Sequence, residues 1–175
     1  ARRKETAMLW EVDIHPAPGQ PDPIAQQVAA EIADLGFGDS TPIASARGYL
    51  IQGELAREQV ELLAAQLLAD GVVERTVVAP VDASALLEPP VPLEAPDPPS
   101  VIHVLPKPGV MDPVAMSAKQ AITDFGIVAD EVRTLKKYWI AGDLNGRLSA
   151  VCSKVLANDA IEQAIVGPLG FEQLE

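Results

Sequence analysis

At 175 residues, 48% of them hydrophobic and only 4% aromatic, the chain has material for one domain or two small ones, with aliphatic side chains and alanine filling the core. A formal charge of −12 works against the basic surface that a phosphate backbone or an anionic membrane requires, so neither nucleic acid nor membrane is expected as a partner. Cys152 is the single cysteine, which excludes an intrachain disulfide framework and fits a reducing, cytoplasmic setting.

In chain order, the basic start "ARRKETAM" lacks the apolar stretch of a signal peptide and reads as a short flexible arm. The alternating run from Met8 to His15 predicts a strand, closed by a Pro-x-Pro-Gly turn containing Gly19. Asp22-Pro23 then marks a helix start, because the carboxylate accepts from a free first-turn amide and proline tolerates the first helical position. Val28, Ile32 and Leu35 give this helix one apolar stripe, and Gly36 stops it. Ile43 to Leu55 predicts a β-hairpin turning near Arg47-Gly48, Arg57 to Leu68 a second helix, and Val73 to Val78 a last strand.

Pro80 to Ser100 is so rich in proline that no helix or interior strand is expected in it, and it reads as a linker. After it the same order returns. "VLPKPGVMDPVAMSAKQAITDFGI" from Val104 lies on "IHPAPGQPDPIAQQVAAEIADLGF" from Ile14 at an offset of 90, matching Gly109 to Gly19, Asp112 to Asp22 and Pro113 to Pro23. "YWIAGDL" from Tyr138 lies on "YLIQGEL" from Tyr49 at 89, and "LANDAIEQAIVGP" from Leu156 on "LADGVVERTVVAP" from Leu68 at 88. Three patches in the same order read as a tandem duplication. The second copy is therefore expected to hold a strand from Val101 to Leu105, a helix after Asp112-Pro113, a hairpin from Val132 to Leu144 turning near Lys136-Lys137, a helix from Arg147 to Leu156, and a strand from Ile161 to Val166.

The expected fold is α+β: two tandem ferredoxin-like βαββαβ units, residues 7–79 and 100–169, joined by a Pro-rich linker over 80–99. One sheet face of such a unit is bare, and the two copies are expected to bury these faces or to join edge strands about a pseudo-twofold axis as an internal dimer, leaving the chain a monomer.

Catalytic groups are not evident. Asp22 and Asp112 are explained by capping; His15 and His103 are not equivalent in the repeat and have no ligand cluster beside them; Cys152 sits on an apolar helical pattern with Val151 and Val155 and reads as a buried structural thiol. No phosphate-binding glycine loop or nucleophile elbow is present, and neither metal nor cofactor is expected. The basic cluster Arg133, Lys136 and Lys137 on the second hairpin, echoed by Arg47 on the first, is the candidate contact with an acidic partner surface or an anionic ligand; reversing its three charges is expected to weaken partner binding more than stability.

"PKPGVMDPVAMSAKQAITDFG" from Pro106 resembles the opening of PurS, the small subunit of phosphoribosylformylglycinamidine synthase; "VRTLKKYWIAGDL" from Val132 resembles its hairpin and "LANDAIEQAIV" from Leu156 its last helix end and strand. The first copy is a weaker match, with Ala17 in place of Lys107 and Ala44 in place of Arg133. The resemblance implies a dimeric, non-catalytic bridge in de novo purine biosynthesis. Its partners would be a PurL-type synthetase and a PurQ-type glutaminase, and the tandem form is similar to the PurS-like N-terminal domain of the large single-chain enzyme. Without those partners no activity is expected. The alternative is a small-molecule-binding regulatory module, since paired βαββαβ units also hold ligands between their halves.

Overall fold

A computed structural model describes residues 7–175, and the expected N-terminal arm lies outside the described residues except for its last two, Ala7 and Met8. Six strands form one antiparallel sheet in the order β3-β1-β2-β5-β4-β6. The first three are β1 (Met8–Pro16), β2 (Ile43–Gly53) and β3 (Glu74–Pro80); β4 (Ser100–Pro106), β5 (Glu131–Ile140) and β6 (Glu162–Val166) follow. Helices α1 (Pro23–Asp34) and α2 (Arg57–Leu63) belong to the first half, α3 (Ser84–Leu87) to the connection, α4 (Pro113–Asp124) and α5 (Leu148–Val151) to the second half.

The mixed α+β class, with strand and helix alternating in an antiparallel sheet, is that of ferredoxin-like units. Two expectations are corrected. Each hairpin is one unbroken strand: β2 runs straight through Arg47-Gly48 and β5 through Lys136-Lys137. Each half is therefore βαβαβ. The physical reason is that the β-branched and aromatic residues continue on both sides of each proposed turn, and β2 and β5 pair with each other along ten residues, which gives the middle of each strand ladder partners on both sides. The proline-rich connection also holds a helical turn, because Ser84–Leu87 precedes the first proline pair and needs no donor from it.

The sequence repeat is written into the ladders. Val12 stands opposite Tyr49 in β1 and β2, and its counterpart Ile102 stands opposite Tyr138 in β4 and β5. Across the centre, Ser45 pairs with Tyr138 and Thr134 with Tyr49, while Arg47 faces Lys136, its own counterpart at the offset of 89. The second helices share one irregularity as well: α2 passes into a π-turn at Ala64–Leu68 and α5 into another at Cys152–Leu156, with the Ala69 and Ala157 amides donating to the Ala64 and Cys152 carbonyls at 3.1 and 3.0 Å.

Alternation along the strands sends Trp10, Val12, Ile14, Tyr49 and Ile51 to one face, where they form a core with Val60 and Leu63 of α2 and with Ala115, Ala118 and Ile122 of α4. Val28 and Ile32 of α1 pack instead with Ile102, Val104, Tyr138 and Ile140, and with Val151 and Leu156. Each half thus completes its core with the first helix of the other. The opposite sheet face, expected to be bare or paired with another copy, is covered by the chain itself. The connection crosses it as a strap with Leu86 buried, and the segment after Gly167 lies over Leu9, Leu50, Leu105 and Leu135 through Leu169, Phe171 and Leu174. No helix among the described residues is long and apolar enough to cross a membrane.

Candidate functional site

The two expected caps form and do more than cap. Asp22 Oδ1 accepts from the Ala25 amide at 3.0 Å and the Ser45 hydroxyl at 2.7 Å, and its Oδ2 accepts from the Ser45 amide at 2.8 Å. Asp112 repeats this: Oδ1 accepts from the Ala115 amide at 3.0 Å, and Oδ2 from the amide and hydroxyl of Thr134, both at 2.9 Å. Pro23 and Pro113 occupy the first helical turn, and Gly19 and Gly109 both adopt φ +81°, the left-handed region in which a side chain is strained. These residues fasten each helix start to the centre of the sheet, and all hydrogen bonds of both carboxylates are committed to that task. Asp112→Ala is expected to cost about 1–3 kcal/mol, the loss of a cap plus an unpaired strand amide, measurable as a lower urea midpoint at unchanged m-value.

The basic quartet does not form a patch. Because β5 is one strand, its side chains alternate, so Arg133 and Lys137 point to the strap face while Lys136 points to the helix face with Arg47. Arg47 pairs with Glu74 at 2.9 Å and Lys136 with Glu162 at 3.4 Å, equivalent pairs in the two halves. Arg133 pairs with Glu131 at 2.7 Å and remains 40% exposed. Lys137 is entirely buried.

Lys137 reaches β1 across β2, where its cross-strand partner, Ala46, is small enough to leave the space. Its ammonium donates to Glu11 Oε1 at 2.9 Å, to Asp13 Oδ2 at 2.6 Å and to the Leu86 carbonyl of the strap. Two positions along β5, Trp139 donates its indole N–H to the Leu87 carbonyl at 2.9 Å, so both strand residues hold the strap. His103 completes the cluster: its Nδ1 donates to the Gly167 carbonyl at 2.9 Å and its Nε2 lies 3.9 Å from Glu11 Oε1. Glu11 Oε2, Asp13 Oδ1 and His103 Nε2 are buried without a hydrogen-bond partner. Burial, then the Asp13 carboxylate, push Glu11 up to about 8 against the pull of Lys137, while burial and the Lys137 ammonium lower His103.

Glu11 and Asp13 were not singled out from sequence, although the signal existed: two acids at alternate positions in a strand share a face, and a lysine between Leu135 and Trp139 does the same on β5. Cys152 is buried, and burial raises its thiol, as suits an inert core residue. His15 is buried at the end of β1, Nδ1 3.1 Å from the Pro16 carbonyl, away from His103. Among the described residues no group of three or more His, Cys, Asp or Glu side chains is placed to hold a metal. A cavity of about 240 Å³ lies between the Lys107–Val110 turn, Arg133 and the tail at Phe171 and Leu174. It brings together the two basic residues that the first half lacks.

No curated protein matches the chain. The family model described as PurS, phosphoribosylformylglycinamidine (FGAM) synthase, matches residues 100–167, the stretch from the start of β4 to the end of β6. Over those residues the chain is similar to the PurS family of FGAM synthase, an enzyme of purine biosynthesis.

Proposed function

We propose that the chain is a non-catalytic bridging component of FGAM synthase, built as an internal dimer of two PurS-like units, residues 7–79 and 100–169, about a pseudo-twofold axis between Arg47 and Lys136. The observation that carries this reading is that residues 7–79, outside the family match, repeat the strand registers of the matched half and the Asp22 and Asp112 fastenings. A duplicated unit supplies both halves of a dimer in one chain and needs no second copy. The site chemistry agrees with a scaffold, since the buried carboxylates and Lys137 are engaged in holding the fold and none is aimed into an open cleft. The bridge would hold a PurL-type synthetase and a PurQ-type glutaminase so that glutamine-derived ammonia reaches the ATP-dependent amidation of formylglycinamide ribonucleotide.

Reconstitution with those two components tests the proposal. Glutamine-dependent turnover is expected to require this chain, and the chain alone is expected to show no ATPase or glutaminase activity. Arg133→Glu with Lys136→Glu, both partly exposed, is expected to weaken assembly in a salt-sensitive manner while shifting stability by less than about 1 kcal/mol. Full turnover without the chain would overturn the bridge, and unchanged assembly of the double variant would move the contact elsewhere on its surface.

A further inference from the structure

The fastenings of the strap and the tail converge on one buried cluster. Lys137 and Trp139 hold the Leu86 and Leu87 carbonyls, His103 holds the Gly167 carbonyl, and Asp82 in the strap accepts from the Leu169 and Gly170 amides at 2.7 Å each. The charged or titratable groups facing it are Glu11 and Asp13 from β1, His103 from β4, Lys137 from β5 and Asp82 from the strap; β2 contributes only Ala46, Gly48 and Leu50. Two carboxylates on one ammonium leave a negative charge in excess in a dry place. All three hydrogens of the ammonium are already given away. His103 Nδ1 carries a hydrogen in order to donate to Gly167, so a neutral ring presents a bare lone pair at Nε2 toward Glu11. The unpartnered atoms Glu11 Oε2, Asp13 Oδ1 and His103 Nε2 are then all acceptors. One added proton, on Glu11 or on His103, removes the excess charge and supplies the missing donor.

We propose that this cluster is a proton-held latch: the strap at Ser84–Leu87 and the tail after Gly167 stay clamped to the sheet while Glu11 and His103 share one extra proton, and losing it frees them and uncovers the second sheet face. Glu11 is the main holder, because burial and Asp13 favour its neutral form while burial and Lys137 disfavour a charged His103. When the latch opens, Glu11 meets water and returns to its ordinary value of 4.5, whereas the closed form keeps its proton up to about 8. Between those values the closed form binds more protons than the open one, so closure is strongest below the lower value and weakens as pH rises toward the upper one. The opening equilibrium therefore rises about tenfold per pH unit across the window and levels off above it.

Amide exchange of the full chain reads this directly. The Leu86 and Glu88 amides, which donate to the Ala83 and Ser84 carbonyls within the strap, are expected to lose protection roughly a hundredfold between about pH 5.5 and about pH 7.5 after correction for intrinsic rates. Glu11→Gln, permanently neutral and of the same shape, is expected to remove that dependence. Strap protection independent of pH in the wild type, or the same slope in the variant, overturns the latch. Should the variant fail to fold, the side-chain carboxyl of Glu11 followed by carbon NMR in the wild type decides: a midpoint near 8 supports the latch and one near 4.5 overturns it.

Discussion

Lys137→Ala is expected to destabilise the chain by about 3–5 kcal/mol, the range for removing one partner of a buried ion pair. The side chain is fully buried, and its loss leaves Glu11 and Asp13 facing each other with no counter-charge and the Leu86 carbonyl with no donor. The expectation from sequence, that reversing charge at Arg133, Lys136 and Lys137 together spares stability, therefore fails at Lys137 alone. Urea denaturation of Lys137→Ala beside Arg133→Glu separates the two classes: a large drop in midpoint for the first and little change for the second. A loss under about 1 kcal/mol for Lys137→Ala would mean that its charge is solvated. Adding Glu11→Gln and Asp13→Asn to Lys137→Met is expected to restore much of the stability, because replacing a whole buried ionic group with neutral residues of similar volume removes the desolvation penalty along with the attraction.

Ile122→Ala is expected to cost about 2–5 kcal/mol, the loss of buried methyl groups plus the cavity they leave. Ile122 lies on α4 in the second half but is buried against strands and helix of the first, and Ile32 on α1 occupies the reciprocal place. A cost of this size at either position, with a single unfolding transition seen by both fluorescence and circular dichroism, is the expected outcome if the two halves fold as one cooperative body. Two separate transitions, with Ile122→Ala moving only the second half's, would show that the shared core contributes little to cooperativity.

Much of this molecule is legible locally. Asp22-Pro23 and Asp112-Pro113 specify helix starts because cap and proline act within one turn, and Gly36 and Gly126, at φ +72° and +94°, end the helices for an equally local reason. The repeat between the halves, visible as three ordered patches, carries through to identical strand registers, since matched hydrophobic alternation forces matched pairing. The candidate site was less legible. Arg133, Lys136 and Lys137 look alike in a sequence, and strand alternation then separates them to opposite faces and opposite degrees of burial.

What the amino-acid sequence determined by itself is the set of quantities fixed within one turn or one strand: helix starts and stops, which residues share a face, and the internal repeat. Only the tertiary structure decided that β2 and β5 run unbroken, that each half borrows the other's first helix, and that a proline-rich connection covers the second sheet face. Those outcomes depend on partners distant in the chain. A lysine's environment is set by whether Glu11 and Asp13, more than a hundred residues earlier, lie beneath it and whether Leu86 closes above it, and no local propensity encodes that meeting.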